Sequence, residues 1–379
     1  MLLLLEKGDV NLVSSELLGC RWRPFLGVGV RGLQEGVLQG TFCRMDRLRS
    51  TSPRMPPEAV KADMPAKLSP VLATLVDKPR PRPDEWLFEI KFDGYRMLAR
   101  IDASGVRLIS RNGLDWSSKM PHLVRALEGM KLRPGWLDGE VVMLNERGLT
   151  DFNALQNAFD NARTQRMIYF FFDVPFYGGY DLRAVPLVER RALLQSILAK
   201  PPEPICFSEA FDAPPQDILA SACELGLEGI IGKRKASRYP SRRSPDWIKL
   251  KCSRRQEFVI GGYTDPQGSR TGFGGLLVGY YDEAGELIYA GKVGTGFNEQ
   301  MLRDLLSRMQ ALATDRRPFK DPTENDRRSH WVEPKLVAEV VFTEWTPDGR
   351  IRHPSFKGLR TDKMAEAIVR EKPMQNAPD

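Results

Sequence analysis

Lys91 is the residue of this sequence best placed to do chemistry. It sits in Glu89-Ile90-Lys91-Phe92-Asp93-Gly94-Tyr95-Arg96, an amine with a carboxylate two residues to either side, then a glycine and an arginine. On a strand, Glu89, Lys91 and Asp93 share one face, because side chains alternate. The ordinary explanation is a surface ion-pair ladder worth under about 1 kcal/mol. Against it stands the apolar run around the lysine, and a lysine, a turn and a second cation close together suit a phosphate. An amine that attacks phosphorus must be neutral, and a lysine with the ordinary pKa of about 10.4 is only about 0.1% neutral near pH 7.4. Burial, Arg96, other lysines and a divalent ion all push toward the neutral form.

Six further segments follow in order: Ser110-Arg111-Asn112-Gly113, Leu137-Asp138-Gly139-Glu140, Phe172-Asp173, Glu228 to Lys233 (EGIIGK), Asp246 to Lys251 (DWIKLK), and Arg360-Thr361-Asp362-Lys363. Each alone has a plain structural explanation. Arg111 is a turn cation, LDGE a hairpin turn, Phe172 a core ring and Glu228 a strand-end acid. KLK is an edge strand guarded by charge, and RTDK a solvated charge run. Their succession over Glu89 to Lys363 has no structural reason.

K-x-D-G-x-R resembles the nucleophile motif of the covalent nucleotidyltransferases: ATP-dependent DNA ligases, RNA ligases and mRNA capping enzymes. The later segments resemble that superfamily's motifs in the same order. The resemblance implies that Lys91 is the catalytic nucleophile and carries AMP taken from ATP. It implies that Arg111 binds phosphate or the nick, that Glu140 binds the ribose and that Phe172 stacks on the base. Lys249 and Lys251 would contact the α-phosphate, and Arg360 and Lys363 would help orient the leaving pyrophosphate. Glu89 and Arg96 complete the expected nucleotide set. Asp93, Glu140 and Glu228 are the expected ligands of Mg²⁺ or Mn²⁺, with Asp93 orienting the lysine or a metal-bound water rather than acting as a base.

The wording EIKFDGYR, FDVPFYGGYDLR and IRHPSFKGLRTDK is similar to the ligase domain of bacterial non-homologous end-joining ligases. MPAKLSPVLATLVDKP resembles the entry to that domain. The implied activity is sealing of 5′-phosphate/3′-hydroxyl nicks or breaks in duplex DNA, in repair and recombination. A monomer in the cytoplasm is expected, with an end-binding repair protein as partner. No polymerase or end-processing module fits in residues 1–62, so a stand-alone ligase is expected, without the extra N-terminal DNA-binding domain of larger ligases. Two rival readings stay open: the same chemistry on RNA or with GTP, and a non-catalytic OB-type nucleic-acid binder. Labelling by ATP against GTP and sealing of DNA against RNA nicks separate the first; absence of any label favours the second.

These residues need a scaffold. WLFEI (86–90), VRLIS (106–110), WLDGEVVML (136–144), ICFSEAF, EGIIGKR and DWIKLK read as strands, and MIYFFFDVPFY (167–177) as a buried central one. Ser118–Leu127, Phe152–Ala162, Pro186–Leu198 and Pro215–Leu225 read as helices. The mixture without regular alternation predicts an α+β domain on antiparallel sheet, a nucleotidyltransferase (adenylation) domain over 63–253. After Arg255 short strands separated by Gly/Asp turns, with one helix at Asn298–Leu312, predict an all-β OB-fold domain over 254–379 with a short C-terminal tail. The pivot falls near Cys252–Gln256. Gly-rich RTGFGGLLVG (270–279) lacks the Lys-Ser/Thr of a phosphate loop and reads as a strand turn. Residues 1–62, Arg-rich and weakly periodic, predict a disordered extension.

With 379 residues, two domains are expected. A net charge of +7 favours an anionic partner without proving one. Five scattered cysteines contain no CxxC pair, so reduced thiols and neither a zinc site nor a disulfide framework are expected. Met1–Leu5 is too short for a membrane span, and no membrane association is expected.

Overall fold

The computed structural model describes residues 54–79, 82–266, 271–321 and 329–374. Three sheets organise them. The first is mainly antiparallel, in the order Val60–Lys61, Tyr180–Asp181, Ile168–Tyr177, Gly135–Val142, Tyr95–Asp102, Gly105–Ser110, with Ile205–Phe207 parallel to Ile168–Tyr177. Alternation sends Tyr95, Met97, Ala99, Leu137 and Val141 to one face, where they are buried with Leu123 and Leu127 of helix Pro121–Gly129 and with Phe152 and Leu155 of helix Phe152–Asp160. The opposite face presents Arg96 and Glu140, which are direct register partners.

The second sheet runs Leu72–Leu75, Arg243–Lys251, Gly229–Arg234, Trp86–Ile90. Phe88, Ile90, Ile230, Ile248 and Leu250 pack on helix Pro215–Glu224 through Ile218 and Ala222. The other face follows from register: Ile231 stands between Glu89 and Lys249, and Lys233 opposite Trp247. One side of this sheet is thus apolar core, and the other carries Glu89, Lys233, Lys249 and Lys251 toward the first sheet.

With two residues between, the chain passes from Lys251 into the third sheet, ordered Leu287–Val293, Gly275–Tyr281, Arg254–Thr264, Ser329–Phe342, Ser355–Leu359. A parallel bridge from Thr295 to Ser355 links its two edges, closing the OB barrel. Helix Glu299–Gln310, capped by Asn298 Oδ1 accepting from the Met301 N–H at 2.8 Å, buries Leu302, Leu305 and Met309 in the barrel core. The described part of the Gly-rich segment, 271–279, is a turn running into strand Gly275–Tyr281, as expected.

Three sequence expectations need amendment. The expected extension lies outside the described residues up to 53, but 54–62 belong to the fold: Val60–Lys61 pairs with Tyr180–Asp181, and Met55 and Ala59 pack on the main core. An edge contact of a few residues leaves too short a pattern for periodicity to detect. The helix expected from Ser118 is broken by Pro121 into a 3₁₀ turn, Ser117–Lys119, and an α-helix beginning at the proline. Cys223 and Cys252 form a disulfide with Cα atoms 5.1 Å apart, in place of the expected free thiols. The end of helix Pro215–Glu224 lies beside the end of strand Arg243–Lys251, a proximity that a separation of 29 residues hides.

Candidate active site

The strand that carries the candidate nucleophile stops at Ile90. Lys91 keeps the sheet direction through its N–H, which donates to Gly229 O at 3.0 Å, and the chain then crosses to the first sheet at Tyr95. Gly94 makes the crossing: a Cβ there would lie 2.3 Å from Val141 O. The site is the cleft between the two sheets at this crossing, and the barrel residues Glu339, Arg360, Asp362 and Lys363 close it.

Every residue expected from sequence lines this one cavity. Lys91 Nζ is ion-paired with Glu228. Burial works against the Glu228 carboxylate, yet Lys91, Arg255 and Lys251 hold it down at about 2. Glu140 is pushed the other way. Its burial outweighs Arg96, Lys91 and Arg360 and raises it to about 7. Glu89 does not reach Lys91 as a ladder partner; it is buried and accepts from Ser208 Oγ at 2.6 Å, with Lys233 Nζ at 2.7 Å and Arg191 Nη1 at 2.9 Å. The lysine in that network, Lys233, is lowered to about 8 by burial despite Glu89.

Phe172 forms the wall of the cleft. Its ring has the Lys233 ammonium 4.1 Å from its centroid and the Arg96 guanidinium carbon 4.3 Å away. Arg96 is clamped by Asp138 through Nε at 2.6 Å and Nη2 at 2.7 Å, and Tyr239 donates to the same carboxylate at 2.6 Å. Lys249 and Lys251 project two residues apart from one strand, and both bind Glu371: Lys249 Nζ at 2.5 Å, Lys251 Nζ at 3.0 Å. Lys249 is lowered to about 8 by burial and by Lys251.

The barrel reaches the cleft through an alternating series of charges. Asp93 receives both Nη atoms of Arg255, at 2.6 and 2.9 Å; Arg255 Nε donates to Glu339 at 2.6 Å; Glu339 is 3.2 Å from Arg360 Nη1; and Arg360 grips Asp362 with two bonds of 2.8 Å. Burial, with Glu228 and Glu339 nearby, raises Asp93 to about 6 against the pull of Arg255. Asn112 Nδ2 donates to Asp362 O at 2.6 Å, so the segment beside Arg111 also holds the barrel. Lys363 is ion-paired with Glu257.

Two expectations about the site are changed by this geometry. Asp93 lies beyond the strand and faces Arg255 rather than continuing one face with Glu89 and Lys91. The three acids expected around a metal are divided among different partners, and among the described residues no group of three His, Cys, Asp or Glu side chains is arranged to hold an ion. Mg²⁺ commonly takes only one or two protein carboxylates, with substrate phosphates and water completing its shell. Glu140 and Glu228, hard oxygen donors on the same cavity as Lys91, fit that smaller demand. Sequence reasoning missed Arg255, Glu339, Asp138 and Glu371. Arg255 sits in a charge run without a motif, Asp138 lies inside the LDGE element whose expected ligand is Glu140, and Glu371 follows the last motif in a tail of no evident pattern.

Comparison with known proteins is consistent along the chain. The family model described as ATP dependent DNA ligase domain matches residues 66–251, and the one described as ATP dependent DNA ligase C terminal region matches 269–363. The multifunctional non-homologous end joining protein LigD of Pseudomonas aeruginosa is 49% identical over 323 residues, covering 84% of this chain and 38% of that protein. LigD of Mycobacterium tuberculosis is 37% identical over 308 residues, covering 80% of this chain and 40% of that one. The chain thus spans about two fifths of the length of these relatives. Among solved structures, a mycobacterial DNA ligase D complexed with ATP and MES has a TM-score of 0.61 and 36% identity, covering 80% of this chain and 98% of that one.

Proposed function

Because this chain belongs to the ATP-dependent DNA ligase family, we infer that it seals 5′-phosphate/3′-hydroxyl breaks in duplex DNA through AMP carried on Lys91. The observation that carries the reading is the convergence on one cavity of Lys91, the Glu140–Phe172 wall, the Lys249–Lys251 pair and the barrel's Arg360–Lys363.

In the first step Lys91 Nζ attacks the α-phosphorus of ATP. A P–N bond forms, the bond to the β-phosphate oxygen breaks, pyrophosphate leaves with the electron pair, and the proton shed by the nitrogen passes to the pyrophosphate or to water. Phosphoryl transfer of this kind needs positioning and charge neutralisation more than covalent help. Phe172 and Lys233 form the surface for the base, with Glu89 behind them, and Glu140 takes the ribose hydroxyls. Lys249 and Lys251 neutralise the α-phosphate, and Arg360 and Lys363, with Arg111 beside them, face the departing pyrophosphate. Arg96 holds its orientation through Asp138 and lends a further cation. A Mg²⁺ or Mn²⁺ ion held by Glu140 and Glu228 would add positive charge at the phosphates and favour the neutral amine. AMP then passes to the 5′-phosphate of the break, and the 3′-hydroxyl displaces it.

The barrel must cover the cleft for the first step and leave it to admit DNA. Cys252–Gln256 is the pivot of that motion. The relatives named as non-homologous end joining proteins support a role in repair of broken ends, with nicked or broken DNA as substrate and an end-binding repair protein as partner. A cytoplasmic monomer fits the same reading; among the described residues no helix is long and apolar enough to cross a membrane. The test is transfer of α-labelled AMP from ATP to protein, followed by sealing of nicked DNA, in wild type and Lys91→Ala. Sealing retained by the variant refutes the mechanism, and a preference for GTP or for RNA nicks favours the rival substrate class.

A further inference from the structure

We propose that Glu371 is a built-in competitor for the nucleotide: its carboxylate occupies the Lys249–Lys251 pair until an ATP phosphate displaces it. The inference rests on the assignment of those lysines to the α-phosphate. After Lys363 the chain makes a short turn at Ala365–Ala367, and Ala365 and Ile368 pack on the outside of the barrel against Val259, Leu277 and Leu287. Gln256 then fastens the tail from both sides. Its Nε2 donates to Val369 O at 3.2 Å, and its Oε1 accepts from the Glu371 N–H at 3.0 Å. Beyond the carboxylate, the Met374 N–H donates to Leu75 O at 2.9 Å, on the edge strand of the second sheet. The tail is therefore held at two points, and Glu371 is suspended between them over the floor of the cleft.

The charge pattern explains why an anion belongs there. Two ammonium groups two residues apart on one strand face repel each other, and each oxygen of Glu371 takes one of them. Burial opposes that charge, but Lys251 and Lys249 hold the carboxylate down at about 2, so it is ionised near neutral pH. A phosphate group presents the same two-oxygen face to the same two lysines. Carboxylate and phosphate cannot share them without a costly like-charge contact.

The experiment is calorimetric titration of the full chain with an unreactive ATP analogue, methylene-bridged between the α- and β-phosphorus, with Mg²⁺ at pH 7.5. Glu371→Gln should bind it about 3- to 10-fold more tightly than wild type, the scale of one partly exposed ion pair. Gln256→Ala, which unhooks the tail without changing its charge, should shift affinity the same way by less. Thermal melts check that both variants are folded. Unchanged or weaker binding by both variants overturns the proposal, the weaker result making Glu371 a positioning residue instead. Lysyl-AMP formation from ATP is measured alongside. If wild type forms none, the assignment of the site fails; if it forms and the affinities do not move, only the competitor role fails.

Discussion

Replacing Glu140 by Gln tests the electrostatics of the cleft directly. Burial raises this carboxylate from 4.5 to about 7 in the folded, nucleotide-free protein. Between those values the unfolded chain has ionised while the folded protein still holds the proton. The folded state therefore binds more protons, and stability must fall as pH rises. Integrating the two titrations gives a loss of roughly 2 to 3 kcal/mol between pH 5 and pH 8 from this one group. Glutamine has the same shape and no titration, so the variant lacks that slope. Urea unfolding of both proteins at several pH values isolates the effect, because other groups cancel in the difference. Glu140→Gln should gain on wild type by about 2 kcal/mol or more across the range. A difference constant with pH refutes the assignment of a desolvated acid at Glu140. Saturating Mg²⁺ with the unreactive ATP analogue should flatten the wild-type slope, since bound cation favours the ionised form.

Other perturbations give separate readouts. Gly94→Ala drives a Cβ to 2.3 Å from Val141 O at the crossing between sheets, so a melting temperature lower by several degrees and severely reduced lysyl-AMP formation are expected; normal adenylation would show that the crossing yields. Arg255→Ala strips Asp93 and Glu339 of a shared cation, and lysyl-AMP formation should fall at least about tenfold, with Arg255→Lys failing to restore the two-pronged contact on Asp93; full rescue by lysine would reduce the contact to simple charge. Lys249, held at about 8, loses its ammonium as pH rises through that value, so affinity for the unreactive analogue should decline above pH 8, and Lys249→Arg should abolish the decline.

Most of the site could be read from the sequence because each motif pairs a reactive side chain with a local pattern that survives folding. Lys249 and Lys251 are two apart on a strand, and the strand puts both on the cleft face. Phe172, which motif order marks for the base although a phenylalanine alone reads as core, is both buried and a wall of the cavity. The relations between distant segments were not legible. Nothing near Arg255 reveals that it will stand between Asp93 and Glu339, 162 and 84 residues away. The same blindness hid the Cys223–Cys252 bond and the return of Glu371 to a strand it follows by 120 residues. Lys91 itself was placed on a strand, whereas the chain leaves the sheet there. The glycine three residues later marks that departure, and its meaning depends on a carbonyl from another strand.

Only Cys252 and Ser253 separate strand Arg243–Lys251 from strand Arg254–Thr264. Two residues span at most about 7 Å, so the barrel cannot drift away from the cleft. It can only turn about a nearly fixed point, and each of its groups then travels in proportion to its distance from that point. Arg255 rides close to the axis and sweeps a small arc. Arg360 and Lys363, in the loop after strand Ser355–Leu359, are tied to Arg255 and its strand: Arg360 shares Glu339 with Arg255, and Lys363 is paired with Glu257 two residues on. A rotation would thus carry Arg255, Arg360 and Lys363 as one linked set, starting from a pivot where Lys251 Nζ donates to the Arg255 carbonyl. The enclosure is hung as a door rather than a drawer, and the ion pairs among its charges make them leave the cleft together.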